Sequence, residues 1–304
     1  MKTYRRLWPI AAEATISYHQ LGLYYENHKR LRRTTVFIGP ALLFLLTLLL
    51  VIFIETPSRS ELSIIKNAVA SEVYSADSVL LGRYYIQDRT EIKYKDIAPV
   101  AVDALIATED VRFYDHEGVD YLSLGRVLVK SILQQDESAG GGSTLTQQLA
   151  KNLYPRKHYW MLSMLINKLR ELITAQRLEN VYSKEDLITL YLNTVPFADN
   201  VYGIQAASQR FFSTQAKNLT VNQAAVLIGM LKATHYYNPR LFPDRARERR
   251  NVVLTQMVKY NKLEKEKAAK LKTAPLKLKY SRTSYHEGLA PYFREYLKTE
   301  LIAW

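Results

Sequence analysis

The residues best suited to chemistry begin in ATEDVRFYDHEG (107–118), where the carboxylates Glu109 and Asp110 are followed by Phe113, His116 and Gly118. Consecutive positions on a helix do not face each other, so an adjacent acidic pair divides its work. One carboxylate can sit in a cleft and move a proton while its neighbour makes a capping or structural hydrogen bond. Alone, an acidic helix end is more often structural. The segments that follow give it weight. GGSTLTQQLAKN (141–152) is a glycine turn followed by Ser143, Thr144, Gln147, Gln148, Lys151 and Asn152, hydroxyl, amide and ammonium groups that bind phosphate and sugar oxygens. Arg156 comes next, and NKLRE (167–171) sets Lys168 and Arg170 beside Glu171. His116 has no second histidine at helical spacing, so hydrogen bonding rather than metal ligation is its expected role.

The elements that must hold these groups are mostly helices. From Ile97 to about Lys272 the apolar residues recur at three- and four-residue spacing, as in ELITAQRL, KEDLITLYL and VNQAAVLIGML. The main interruption is the run of three glycines at 140–142, which permits a tight turn before a helix that Ser143 or Thr144 can cap. Upstream, Ala70 to Tyr94 is rich in Val, Tyr and Ile with a turn-prone Asp77-Ser78, which predicts a short β-hairpin. The uncharged stretch over residues 35–54 has the length of a helix crossing a bilayer. Before it stand seven basic residues (Lys2, Arg5, Arg6, Lys29, Arg30, Arg32, Arg33) and two acidic ones (Glu13, Glu26), which predicts a cytoplasmic N-terminus and a retained anchor rather than a cleaved leader. The expected organisation is a cytoplasmic tail (1–34), a transmembrane helix (35–54), a connector with a β-hairpin (55–96), a helical domain (97–272) and a C-terminal linker (273–304).

Composition narrows the chemistry further. The chain has 304 residues, 48% of them hydrophobic, and no cysteine, which excludes disulfides, thiolate zinc sites and cysteine nucleophiles. A net charge of +13 favours anionic partners. Nucleic acid is the least expected of these, because five of the net positive charges (seven minus two) precede the span, where membrane orientation accounts for them.

Taken in series, these segments resemble the signature motifs of the family 51 glycosyltransferases, which occur in monofunctional wall transglycosylases and in the N-terminal half of class A penicillin-binding proteins. The resemblance continues through SKEDLITLYLNTVPF (183–197), YGIQAASQRFF (202–212) and LTVNQAAVLIGMLKATHYYNP (219–239). It implies a mainly α, lysozyme-like, two-lobed glycosyltransferase domain preceded by one transmembrane helix and a short β segment. It also implies an enzyme that polymerises lipid II into glycan strands by inverting transfer, releasing undecaprenyl pyrophosphate on the periplasmic or outer side of the cytoplasmic membrane. Carried over by position, Glu109 is the general base and Glu171 the second essential acid. Asp110, Phe113, His116, Ser143, Thr144, Gln147, Gln148, Lys151, Asn152, Arg156, Lys168 and Arg170 are the expected substrate-binding residues. No cofactor is required, although Glu171 could either orient a cation or share a divalent ion such as magnesium with the pyrophosphate. The implied partners are lipid II, the growing glycan strand, membrane lipid and proteins of a wall-synthesis complex. Tyr159-Trp160-Met161 and the apolar residues after it read either as core or as a segment that dips into the outer leaflet.

The sequence departs from the family pattern at several positions. Asn167 stands where an arginine usually precedes Lys168. Thr189 and Ala198 replace a usual glutamate and glycine, and Ser213 and Gln223 replace another glycine and glutamate. Ser63-Ile-Ile-Lys66 has the S-x-x-K spacing of a serine transpeptidase, yet no K-T-G element accompanies it, so it reads as coincidence. The end HEGLAPYFREYLKTELIAW (286–304) resembles the connector toward a transpeptidase domain. A lysozyme-like glycan-cleaving enzyme and a catalytically silent scaffold are the rival readings.

Overall fold

The computed structural model describes residue 18 and residues 29–65, 67, 70–85, 87–126, 142–281 and 289–303. Residues 138–141 of the glycine-rich loop and most of the N-terminal tail lie outside them. The chain divides into two compact units, residues 1–56 and 57–304. In the first, helix α1 (Lys29–Glu55) is, among the described residues, the one helix long and apolar enough to cross a membrane.

The second unit is mainly helical. After a one-turn helix α2 (Arg59–Leu62), strands β1 (Ser71–Tyr74) and β2 (Leu80–Tyr84) form an antiparallel hairpin turning at Asp77 and Ser78. The hairpin is shorter than the expected stretch to Tyr94. Strand β3 (Asp88–Arg89) instead pairs in parallel with β4 (Val201–Tyr202), where Asp88 forms a buried ion pair with Arg210 at 2.8 Å. The remaining helices are α3 (Pro99–Glu109), α4 (Leu145–Leu153), α5 (Ser163–Glu179), α6 (Lys184–Thr194), α7 (Ile204–Phe212, following β4), α8 (Val221–Met230), α9 (Pro243–Lys259), α10 (Lys265–Thr273) and α11 (Pro291–Ala303).

Two helix groups make the domain. Pro99 starts α3 at a position where a missing N–H costs nothing, and the small residues Ala101, Ala104 and Ala107 let α8 and α9 approach it closely. The other group is α4 packed on α5 and α6. Local chemistry fixes the ends of these helices. Thr144 caps α4, accepting from the Gln147 N–H, and Ser183 with Asp186 closes a capping box on α6.

The departures from the family pattern are absorbed by this local structure. Gln223 accepts from the Thr220 N–H at 3.0 Å and closes the capping box of α8, a task open to glutamine and glutamate alike. Ser213 adopts a left-handed conformation (φ 48°) at the end of α7, which is why a glycine suits that position. Thr189 bonds back to the Glu185 carbonyl, and Ala198 is buried.

The two helix groups are joined at Asp110. Its Oδ2 accepts the buried Leu145 N–H, in the first turn of α4, at 2.9 Å, and His116 Nε2 lies 3.1 Å from both carboxylate oxygens. Gly118 completes the junction, because its carbonyl accepts from the Thr144 hydroxyl (2.7 Å) and the Gln147 amide (3.2 Å). Gly118 has φ +81°, and a Cβ there would lie 2.9 Å from the backbone of Ala175.

Two stability predictions follow from this junction. Gly118→Ala costs about 2 kcal/mol of strain, which lowers the melting temperature by about 4–8 °C for a domain of this size. Asp110→Ala orphans a buried N–H and costs about 2–3 kcal/mol, whereas Glu109→Gln leaves unfolding nearly unchanged. Thermal unfolding in detergent measures all three, and a shift under 1 °C for the first two would show that the junction is not a structural anchor.

Candidate active site

A cleft of about 960 Å³ opens between the two helix groups. Glu109, the last residue of α3, faces into it from one side and Glu171 of α5 from another. The Glu109 carboxylate is gripped unevenly. Its Oε2 accepts from Gln148 Nε2 of α4 at 3.0 Å, whereas its Oε1 lies 4.0 Å from Arg249 Nη2 of α9. Gln148 is itself held, since its Oε1 accepts from the hydroxyl of Tyr191 on α6 at 3.0 Å.

Glu171 is surrounded by cations. Arg156 Nε donates to its Oε1 at 2.8 Å, and Lys168 Nζ lies 3.5 Å from its Oε2. Lys168 also donates to Ser143 Oγ (2.9 Å) and Gln147 Oε1 (2.7 Å), which ties α5 to the start of α4. Burial lowers the Lys168 pKa below the ordinary lysine value, with the Glu171 charge opposing the shift. Asn167 supplies no charge. Its side chain bonds the Lys157 N–H (3.0 Å), the Lys157 carbonyl (2.7 Å) and the Ser163 carbonyl (2.7 Å), and so fixes the segment that carries Arg156.

The cleft wall includes Ser143, Gln148, Lys151, Asn152 and Arg156 from the expected set, together with buried Asp110, Thr144 and Gln147. The polar atoms of these last three are committed to the α3–α4 junction or to Lys168. Four of the expected substrate-binding residues, Phe113, His116, Arg170 and Lys168, are not part of the cleft wall. Phe113 is a core residue, 1% exposed, with its ring under Lys184 Nζ at 4.4 Å. His116 is turned to Asp110, away from the cleft. Arg170 is buried, donates to Asn167 Oδ1 at 3.1 Å and stacks near Tyr159. Lys168 does not line the cleft and acts from behind Ser143 and Gln147.

Sequence reasoning missed Asp120, Arg126, Tyr191, Lys232, Arg249 and Lys259. The last two had a readable signal, because Arg249, Val252, Gln256 and Lys259 fall on one stripe of α9 at helical spacing and all four line the cleft. Tyr191 gave none, since a tyrosine among leucines reads as core. Six cations, Arg126, Lys151, Arg156, Lys232, Arg249 and Lys259, therefore line the cleft against Glu109, Asp110, Asp120 and Glu171. Asp120 is already committed. Desolvation disfavours its charge, but hydrogen bonds from Arg112 and Ser123 outweigh this and hold its carboxyl well below the usual range.

Both Glu171 oxygens already face cations, and among the described residues no group of three or more His, Cys, Asp or Glu is placed to hold a metal. The arrangement instead suits proton transfer at Glu109 and binding of an anion along the cation-lined wall.

This chain is similar to parts of longer known proteins. Penicillin-binding protein 1A of Haemophilus influenzae is 34% identical over 231 residues, covering 76% of this chain and 26% of that protein. Penicillin-binding protein 1F of Bacillus subtilis is 37% identical over 217 residues, covering 71% and 30%. This chain thus spans less than a third of the length of either relative. A crystal structure of penicillin-binding protein 1A from Haemophilus influenzae aligns with a TM-score of 0.44 at 22% identity, over 79% of this chain and 25% of that one. Residues 77–258, more than half of the chain, match the family described as Transglycosylase, and the chain belongs to that family.

Proposed function

We propose that this chain is a peptidoglycan glycosyltransferase that polymerises lipid-linked disaccharide, lipid II, into glycan strands. The observation that carries the proposal is the pairing inside one cleft of a carboxylate held by a neutral amide, Glu109, with a second carboxylate flanked by cations, Glu171. The 4-hydroxyl oxygen of the incoming lipid-linked disaccharide bonds to the anomeric carbon of the donor strand. The carbon–oxygen bond to the donor's pyrophosphate breaks on the opposite face, so the configuration inverts. The hydroxyl proton passes to Glu109, and the electron pair leaves on the lipid pyrophosphate, whose charge Lys151 and Arg156 stabilise. A leaving group that carries its own negative charge requires cations rather than a protonating acid. Glu171 orients Arg156 for that purpose, with Lys168 balancing its second oxygen from behind the cleft wall.

The setting at the membrane belongs to the same proposal. The excess of basic residues before α1 supports an N-terminus in the cytoplasm and a cleft on the outer side. Trp160, Met161 and Met164 are 80%, 79% and 80% exposed, an apolar cluster next to the segment that carries Arg156. Inserted into the outer leaflet, it brings the cleft to its lipid substrate.

Purified protein incubated with lipid-linked disaccharide yields polymer, and Glu109→Gln lowers that rate by at least about 100-fold. Polymer from the variant at the parent rate would remove Glu109 from the mechanism. Cleavage of preformed glycan by the parent would identify a hydrolase, and neither activity a scaffold. Replacing Trp160 and Met161 by serine lowers the rate on membrane-embedded substrate about tenfold while sparing a short-chain soluble substrate, the size expected for losing about 1.4 kcal/mol of interfacial burial. Equal losses on both substrates would refute leaflet insertion.

A further inference from the structure

We propose that Tyr191 is a positioning residue for this reaction, acting through Gln148 to decide which oxygen of Glu109 receives the proton. Its kinetic consequence rests on the glycosyltransferase reading above. Tyr191 is 2% exposed, sits on α6 and spends its hydroxyl proton on Gln148 at the back of the cleft. Gln148 is its one hydrogen-bond partner among the described residues. Burial, reinforced by the charge of Glu109, pushes the tyrosine pKa well above its ordinary value, so the hydroxyl remains a proton donor.

That donor sets the orientation of a side chain that could otherwise turn over. The Gln148 amide has an oxygen at one corner and an NH₂ at the other, of nearly equal size. With its oxygen accepting from Tyr191, the NH₂ is delivered to Glu109 Oε2 at 3.0 Å. In the flipped orientation the carbonyl oxygen meets the carboxylate, and the buried tyrosine hydroxyl loses its acceptor. Both penalties oppose the flip. Glu109 Oε2 is thereby occupied by a neutral donor. Oε1 has Arg249 at 4.0 Å and is the oxygen left to take the hydroxyl proton. Without Tyr191 the second penalty disappears, and the base spends part of its time facing an amide oxygen.

The test is a double-mutant cycle on polymerisation of lipid-linked disaccharide by the full chain. Tyr191→Phe keeps the ring and removes the hydroxyl; kcat falls about tenfold, as expected for one buried hydrogen bond, while KM changes less than about twofold. In a Gln148→Ala background the same substitution changes kcat less than about twofold, because Tyr191 acts only through Gln148. A Tyr191→Phe variant at the parent rate, or one whose loss is undiminished in the Gln148→Ala background, overturns the proposal. A readout without turnover separates its failure from that of the glycosyltransferase reading. With selective ¹⁵N-glutamine labelling, the Gln148 side-chain amide signals, assigned by their loss in Gln148→Ala, shift in Tyr191→Phe. Unmoved signals overturn the hydrogen-bond chain, whereas absence of polymer from the parent overturns the proposed function.

Discussion

One hydrogen bond sets the geometry of the cleft: the Asp110 carboxylate accepting the buried N–H of Leu145. The first N–H groups of a helix have no partner within it, and a carboxylate placed there also meets the favourable end of the helix dipole. Thr144 serves the Gln147 N–H, and Asp110 serves the Leu145 N–H, which the cap does not reach. Because helix α3 ends at Glu109 and Asp110 adopts an extended φ of −157°, the two adjacent side chains diverge. Asp110 turns to α4 and its neighbour turns into the cleft. The same bond places α4, and with it Gln148 and Lys151, beside Glu109.

The second centre depends on a different device. The family pattern expects an arginine at 167, and Asn167 stands there. Its amide clamps the backbone of Lys157 and Ser163 and so holds the chain from which Arg156 reaches Glu171. The cation at this end of the cleft is thus supplied by Arg156, from outside the helix that bears Glu171. Lys168, held behind it by Ser143 and Gln147, balances the other carboxylate oxygen.

Much of this was legible in the sequence because it is local. The capping residues, the hairpin turn at Asp77-Ser78, the long apolar helix and the order of the helices follow from spacing and residue type. The division of labour between two adjacent acids followed from helix geometry alone. Contacts between distant segments were not legible. Phe113 and His116 lie within the same twelve residues as Glu109, yet tertiary packing turns them into the core and toward Asp110. Arg249 and Tyr191 lie far from Glu109 in sequence and meet it only because α9 and α6 flank the cleft. Strand β3 failed to extend the hairpin because the buried Asp88–Arg210 pair draws it to β4, an interaction across 122 residues.

The two acidic centres differ in a way that bears on the class of reaction. A glycosidase needs one carboxyl to protonate the departing sugar oxygen and another to activate water or attack the sugar. Glu171 is poorly arranged for the first task, because Arg156 donates to one of its oxygens and Lys168 approaches the other. A carboxylate between two cations holds them in place, and in the proposed reaction Arg156 is held toward a departing group that is already anionic. Glu109 accepts from an amide at one oxygen and has Arg249 at 4.0 Å from the other, the arrangement the proposed proton transfer uses. In the proposed reaction one cleft combines a single base with a supported cation site, the minimum that transfer from a sugar pyrophosphate requires and less than glycoside hydrolysis demands.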